Sequence, residues 1–143
     1  MIWIDARAMT RMFRHAGGCY PKQECCGMMI GVAGSAGHTV TRIVEAANVS
    51  SEDRRTHFEI DPAWLFTVHQ DSILRGVRIL GVYHSHCGGN ADLSVDDLKG
   101  APFNFCHFVM VPRGGSSWGA RWWSPHSDGR QFRLDTWLPS NLE

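Results

Sequence analysis

No stretch of this chain approaches the roughly 20 consecutive apolar residues that span a bilayer. The first residues also lack a charged region followed by a long apolar one, so no secretory leader is expected and cytoplasm is the expected compartment. Net charge is missing as well: 14 Lys and Arg balance 14 Asp and Glu. That balance argues against a broad electrostatic grip on nucleic acid or an anionic membrane, although Arg54 and Arg55 leave room for a local basic patch. There is no internal repeat, low-complexity tract or interdomain linker. The five cysteines, Cys19, Cys25, Cys26, Cys87 and Cys106, are odd in number, and their spacings fit neither a zinc ribbon nor a disulfide framework. Cys25, Cys26 and Cys106 are therefore expected to pack as small apolar residues.

What is present is an ordinary globular composition, 43% apolar and 20% charged over 143 residues, enough for one domain spanning 1–143 with a proper core. Residues 1–4 read as a short strand. Asp5 is placed to cap a helix running to about Ala16, with Gly17 and Gly18 as its stop. Residues 26–33, 40–49 and 56–60 read as strands, the last two separated by a polar loop at 50–55. Asp61 and Pro62 open a second helix whose apolar side is Trp64, Leu65, Val68, Ile73 and Leu74, ended by Gly76. Residues 78–83 form a strand that delivers His84 and His86, and 105–111 form another. Residues 118–123 and 131–137 are expected to pair as a hairpin around Ser127, Asp128 and Gly129. Helix, strands, helix, strands in this order suggests an α/β or α+β packing around one central sheet.

His84 and His86 are two apart. On a strand such residues share a face, so both imidazoles can reach one ion. Eight residues on comes Ser94, and three later Asp97. Two histidines and a carboxylate are a common ligand set for zinc used as a Lewis acid, with a fourth position left open. A histidine pair alone would be weak evidence; the ordered set His, His, Ser, Asp with flanking glycines is not. Ser94 and Asp97 also have the spacing of a capping box. Glu24, far upstream in Pro21-Lys22-Gln23-Glu24-Cys25-Cys26-Gly27, is the natural candidate for a proton-handling base.

These residues resemble the motif of the JAMM, or MPN-plus, zinc metalloproteases: His84-x-His86, seven residues, Ser94, two residues, Asp97. Glu24 followed by Cys25-Cys26-Gly27 is similar to the family's Glu-x-Cys-Gly segment, and the likeness runs from about residue 1 to about 137. The resemblance implies a central mixed β-sheet flanked by helices, a three-layer α/β architecture of cytidine-deaminase type. It implies one zinc ion held by His84, His86 and Asp97, Glu24 as general base, and Ser94 as hydrogen-bond donor to the developing oxyanion. Ser94 as a nucleophile is the competing reading, but nothing near it in sequence supplies an activating base. Ser85, facing the other way, is expected to support the loop after the ligands.

Two departures mark this chain. Cys87 stands where the family often has proline, and Leu93 stands where a proline often precedes the serine. With Gly88, Gly89 and Asn90 between them, residues 87–93 are expected to form a mobile loop. Cys87 is a passive thiol by default and a modulator of the metal site as the alternative, since thiolate binds zinc well. His15, His38, His57, His69, His107 and His126 lack a clustered spacing, though His107 on its strand has the option of supporting the site. Trp118, Trp122, Trp123 and Trp137 are expected to fill the core or a sheet edge, with a partner surface as the alternative. By resemblance, the substrate is the glycine-rich C-terminal tail of a ubiquitin-like or sulfur-carrier protein, cut at a peptide or isopeptide bond, with residues 49–60 as candidate groove wall. The alternatives are a binding or scaffold module on the same fold, and a zinc hydrolase of small molecules; the Pro-Cys-x-x-Cys pair of zinc deaminases is not in the sequence.

Overall fold

A computed structural model describes residues 1–99, 104–127 and 131–141. The chain runs β1 (Ile2–Asp5), α1 (Ala6–Cys19), β2 (Cys26–Gly34), β3 (Gly37–Ala46), α2 (Pro62–Leu74), β4 (Arg78–Ser85), a 3-10 turn (Asp96–Leu98), β5 (Cys106–Gly114), β6 (Ser117–Pro125), β7 (Phe132–Asp135) and β8 (Trp137–Ser140). The strands form one sheet in the order β7-β6-β5-β4-β2-β3-β1-β8. Pairing is mixed: β4/β5, β1/β3 and β1/β8 are parallel, and the other neighbours are antiparallel. Among the described residues, no helix is long and apolar enough to cross a membrane.

The two helices lie on opposite faces, giving the three-layer α/β arrangement. One face packs Ile4, Met29, Val40, Leu80, Phe108, Met110 and Trp122 around Ala8, Met12 and Ala16 of α1. The other packs Met28, Ile30, Ile79 and Val82 against Val68 of α2. Cys25, Cys26 and Cys106 are buried in this scaffold as free thiols. Only Thr136 separates β7 from β8, although these strands are the two edges of the sheet. The sheet therefore curls until its edges meet around α1, and Trp137 of β8 reaches Phe108 of β5 with ring centroids 5.2 Å apart.

The expected hairpin is thus half right. Residues 132–135 pair with β6 (Trp123 opposite Leu134), but Trp137 leaves for the far edge and pairs with Ile2. Asp128 and Gly129 of the expected turn lie outside the described residues.

Other boundaries moved for identifiable reasons. Asp5 caps α1 through its carboxylate as expected, but Gly17 and Gly18 do not stop the helix. It ends at Cys19, because Tyr20 precedes Pro21 and is driven out of the helical region to ψ 137°. Asp61 and Pro62 do open α2. Trp64, Leu65 and Val68 pack inward as expected, joined by Ser72, whose hydroxyl is satisfied on the Val68 carbonyl at 2.8 Å. Ile73 and Leu74 point away and are 59% and 86% exposed. Residues 56–60 form no strand: the Glu59 N–H, which would have entered a ladder, goes to the Asn48 side chain instead.

β4 carries the feature that positions the site. Gly81 pairs with Met29 and Ile79 with Ile30, so Leu80 is an extra residue, a β-bulge. In a regular strand Ile79 and Val82 would face opposite sides. The bulge inverts the alternation, and both join the α2-side cluster while Leu80 and Tyr83 face α1. His84, two residues beyond Val82, is thereby delivered to the α2 side.

Candidate metal centre

His84 is fully buried and stacks on Phe58, with centroids 4.4 Å apart. His86 follows just past the end of β4 on the same side. The Nε2 atoms of the two rings lie 3.2 Å apart. Oδ2 of Asp97 lies 3.4 Å from the first and 3.3 Å from the second. Asp97 is delivered by the 3-10 turn through a reciprocal cap: Ser94 N–H donates to Asp97 Oδ2 at 2.8 Å, and Asp97 N–H donates to Ser94 Oγ at 3.1 Å. This is the capping box read from the spacing, with Asp in place of Glu or Gln. His86 Nδ1 lies 2.6 Å from the Asn90 carbonyl, which can only accept. The proton therefore sits on Nδ1, and the Nε2 lone pair faces the other two ligands.

The near-equilateral triangle fits zinc. A tetrahedral ion with bonds of about 2.0–2.1 Å holds its ligand atoms about 3.3 Å apart. Among the described residues, these three are the group of His, Cys, Asp or Glu side chains whose ligand atoms lie within 4.8 Å of one another. The electrostatics agree with a site organised around a cation. Burial pushes the His84 pKa down. Burial also works to raise the Asp97 carboxyl, but hydrogen bonds to His84 and His86 outweigh it and hold it well below the usual carboxylate range. Burial pushes His86 down too, yet Asp97 and the Asn90 carbonyl lift it above its ordinary value.

Glu24 lies beside this cluster, 3% exposed. Burial raises its carboxyl to about 8, Asp97 adds to the rise and His86 opposes it. Its Oε1 has no hydrogen-bond partner among the described residues. Glu24, His86, Cys87, Ser94 and Asp97 line a cleft of about 580 Å³ together with Asp53, Arg55 and Thr56. Three residues of the 49–60 segment thus line this cleft, and they do so from a loop. The neighbouring Arg54 is exposed, and its Nε donates to the Ser50 carbonyl at 2.9 Å.

The chain matches the family of prokaryotic homologues of the JAB domain over residues 5–124. It belongs to that family. No curated protein matches it significantly. Two solution structures are similar in fold. One, from Desulfitobacterium hafniense, has a TM-score of 0.82 at 23% identity over 99% of this chain and 94% of its own. The other, from Salinibacter ruber, has a TM-score of 0.68 at 23% identity over 98% and 92%.

Within this JAB-family domain several sequence readings change. Ser85 does not support the loop that follows the ligands. Its Oγ accepts the Cys25 N–H at 2.9 Å and its own N–H donates to the Cys25 carbonyl at 3.1 Å, so it ties the Glu24 segment to the ligand strand. Nor is the segment 87–93 untethered. Ala91 is buried against Val109 and Val111, its carbonyl takes the Trp123 indole N–H at 3.0 Å, and Asp92 pairs with Arg121 at 2.6 Å. Cys87 lines the cleft outside the ligand triangle. Burial and the nearby Glu24 push its thiol pKa up, which disfavours the thiolate a metal would need.

Sequence reasoning passed over Phe58, Asn48 and the bulge at Leu80, none of which carries a motif. It did single out His107, which is fully buried on β5 with both ring nitrogens unpartnered among the described residues. Burial lowers its pKa to about 4, so it is neutral.

Proposed function

We propose that this domain is a zinc-dependent metallopeptidase acting at the C-terminal tail of a ubiquitin-like or sulfur-carrier protein, by hydrolysis of a peptide or isopeptide bond. The observation that carries the reading is the triangle of His84, His86 and Asp97 with sides of 3.2–3.4 Å, beside a cleft that Glu24 also lines. Zinc held there would supply Lewis-acid chemistry, polarising a carbonyl and acidifying water.

The chain's own groups supply the rest. Glu24 takes the proton of the attacking water and returns it to the leaving amine, a role suited to a carboxyl that lines the cleft beside the three ligands. Ser94 Oγ accepts from Asp97 N–H and keeps its own proton free to donate to the oxyanion. A serine so placed is a hydrogen-bond donor rather than a nucleophile. The wall at Asp53, Arg55 and Thr56 gives an extended tail something to lie against.

The test is direct. Purified protein should hold about one zinc per chain and cleave a ubiquitin-fold protein whose Gly-Gly terminus is extended by a short peptide. Glu24→Gln should keep the zinc and lower turnover by about 10²–10⁴-fold. A zinc-loaded wild type that leaves every such tail intact would instead mark a binding module.

A further inference from the structure

Glu24 precedes β2, so its peptide groups take no part in the sheet ladder. Both are held from one neighbouring segment. Its N–H donates to the Arg54 carbonyl at 2.7 Å, and its carbonyl accepts from Asn48 Nδ2 at 3.1 Å. Asn48 is 6% exposed and uses its amide completely. Nδ2 also donates to the His57 carbonyl at 3.0 Å, while Oδ1 accepts the N–H groups of Ser50 at 3.1 Å and Glu59 at 3.2 Å. An asparagine has two donors and an acceptor with two lone pairs. Here all four find partners, and a flipped amide would set its oxygen against two carbonyls, so the orientation is dictated by the partners.

The same segment lines the cleft through Asp53, Arg55 and Thr56, and seats Phe58 on His84. One side chain therefore anchors both the base and the surface a substrate would lie on. We propose that Asn48 is a positioning residue, whose amide donor end sets Glu24 against the ligand triangle while its acceptor end holds the substrate wall in shape. The proposal rests on the reading of Glu24 as general base. It gives the two ends of one amide different weight: the donor end, which joins the Glu24 carbonyl to the wall at His57, acts first on the chemical step, and the acceptor end, which holds Ser50 and Glu59, acts on the shape of the substrate wall.

Two variants separate them. Asn48→Asp keeps both acceptor bonds to Ser50 and Glu59 but sets an oxygen against the Glu24 and His57 carbonyls. Asn48→Ala loses both ends. A displacement near 1 Å costs about 10²-fold in a positioned reaction. In the zinc-loaded protein, with a ubiquitin-fold protein carrying an extended Gly-Gly tail as probe, Asn48→Asp should lower kcat by roughly 30–100-fold and leave KM within about threefold. Asn48→Ala should also raise KM. Amide exchange supplies a readout independent of turnover: in Asn48→Asp the Cys25 N–H, which shares a peptide group with the Glu24 carbonyl and donates to Ser85 Oγ, should exchange at least about tenfold faster, while the Ser50 and Glu59 N–H groups stay protected. If the aspartate variant does not fold, Asn48→Ser, in which water can replace the amide, should show the same kcat loss in milder form. A folded, zinc-loaded Asn48→Asp with wild-type kcat, or with unchanged exchange at Cys25, overturns the proposal. A wild type inactive on the probe overturns the peptidase reading instead, and the exchange measurement then decides Asn48 alone.

Discussion

The sheet face that wraps α1 buries Ile4, Met12, Phe108, Met110 and Trp122 in nearly unbroken apolar contact, while the face beneath α2 buries Glu24, His84, Asp97 and His107 close to Val82 and Val109. The first face gains free energy from every apolar atom it removes from water. The second also buries polar atoms: His84 Nδ1, both nitrogens of His107 and Glu24 Oε1 have no hydrogen-bond partner among the described residues. One strand serves both environments: β4 turns Leu80 and Tyr83 to the dry face, and Val82 and His84 to the polar one. Most of the apolar burial and the candidate site thus fall on opposite sides of a single sheet, with a bulge as the device that sends the β4 residues to their sides.

The contrast is open to attack from both sides. The largest effect on stability should come from the dry face: Phe108→Ala should cost about 3–5 kcal/mol, read from urea unfolding of the metal-free chain. Ser94→Ala should leave the dry core untouched and lower kcat by about 10²–10³-fold; a shift in the unfolding midpoint as large as that of Phe108→Ala would dissolve the division of labour. Glu24 gives a smaller, pH-dependent effect. Its folded pKa of about 8 lies above the ordinary 4.5. A carboxyl raised on folding contributes fully below the unfolded value, and that contribution is lost as pH rises through the folded one. In chelator-treated protein, Glu24→Gln and wild type should therefore have matching urea midpoints below pH 4.5 and diverge toward pH 8, with the variant the more stable. Equal midpoints throughout would show that burial is not what shifts Glu24. The smallest effect is expected from Cys87→Ala. With the thiol outside the ligand triangle, zinc content and turnover should both stay at wild-type levels, and any loss of zinc would make Cys87 a ligand.

Much of the site was legible in one dimension because its chemistry is local. His84 and His86 share a strand direction, and Ser94 and Asp97 share one turn of chain, so spacing alone predicts which side chains meet. Glu24 was harder: it lies sixty positions before His84, and only the likeness to a known motif brought the two together before the fold did. Asn48 and Phe58 were illegible, since an asparagine bonding to four peptide groups and a phenylalanine stacked on an imidazole look like any others in a polar loop. Residues 56–60 misled for a related reason. Their alternation fits a strand, but their peptide groups were taken by a side chain eleven residues away.

Residue type and spacing by themselves determined the ligand set, the caps at Asp5 and Asp61, and the alternation of helices and strands, because each depends on contacts within a turn or two of chain. The tertiary structure alone decided that an extra residue at Leu80 carries His84 to the α2 side, that the sheet closes its edges around α1 at Thr136, and that Glu24 hangs from Asn48. Those outcomes turn on which strand pairs with which and in what register, and pairing energy is shared among segments far apart in the chain, so no single stretch contains it.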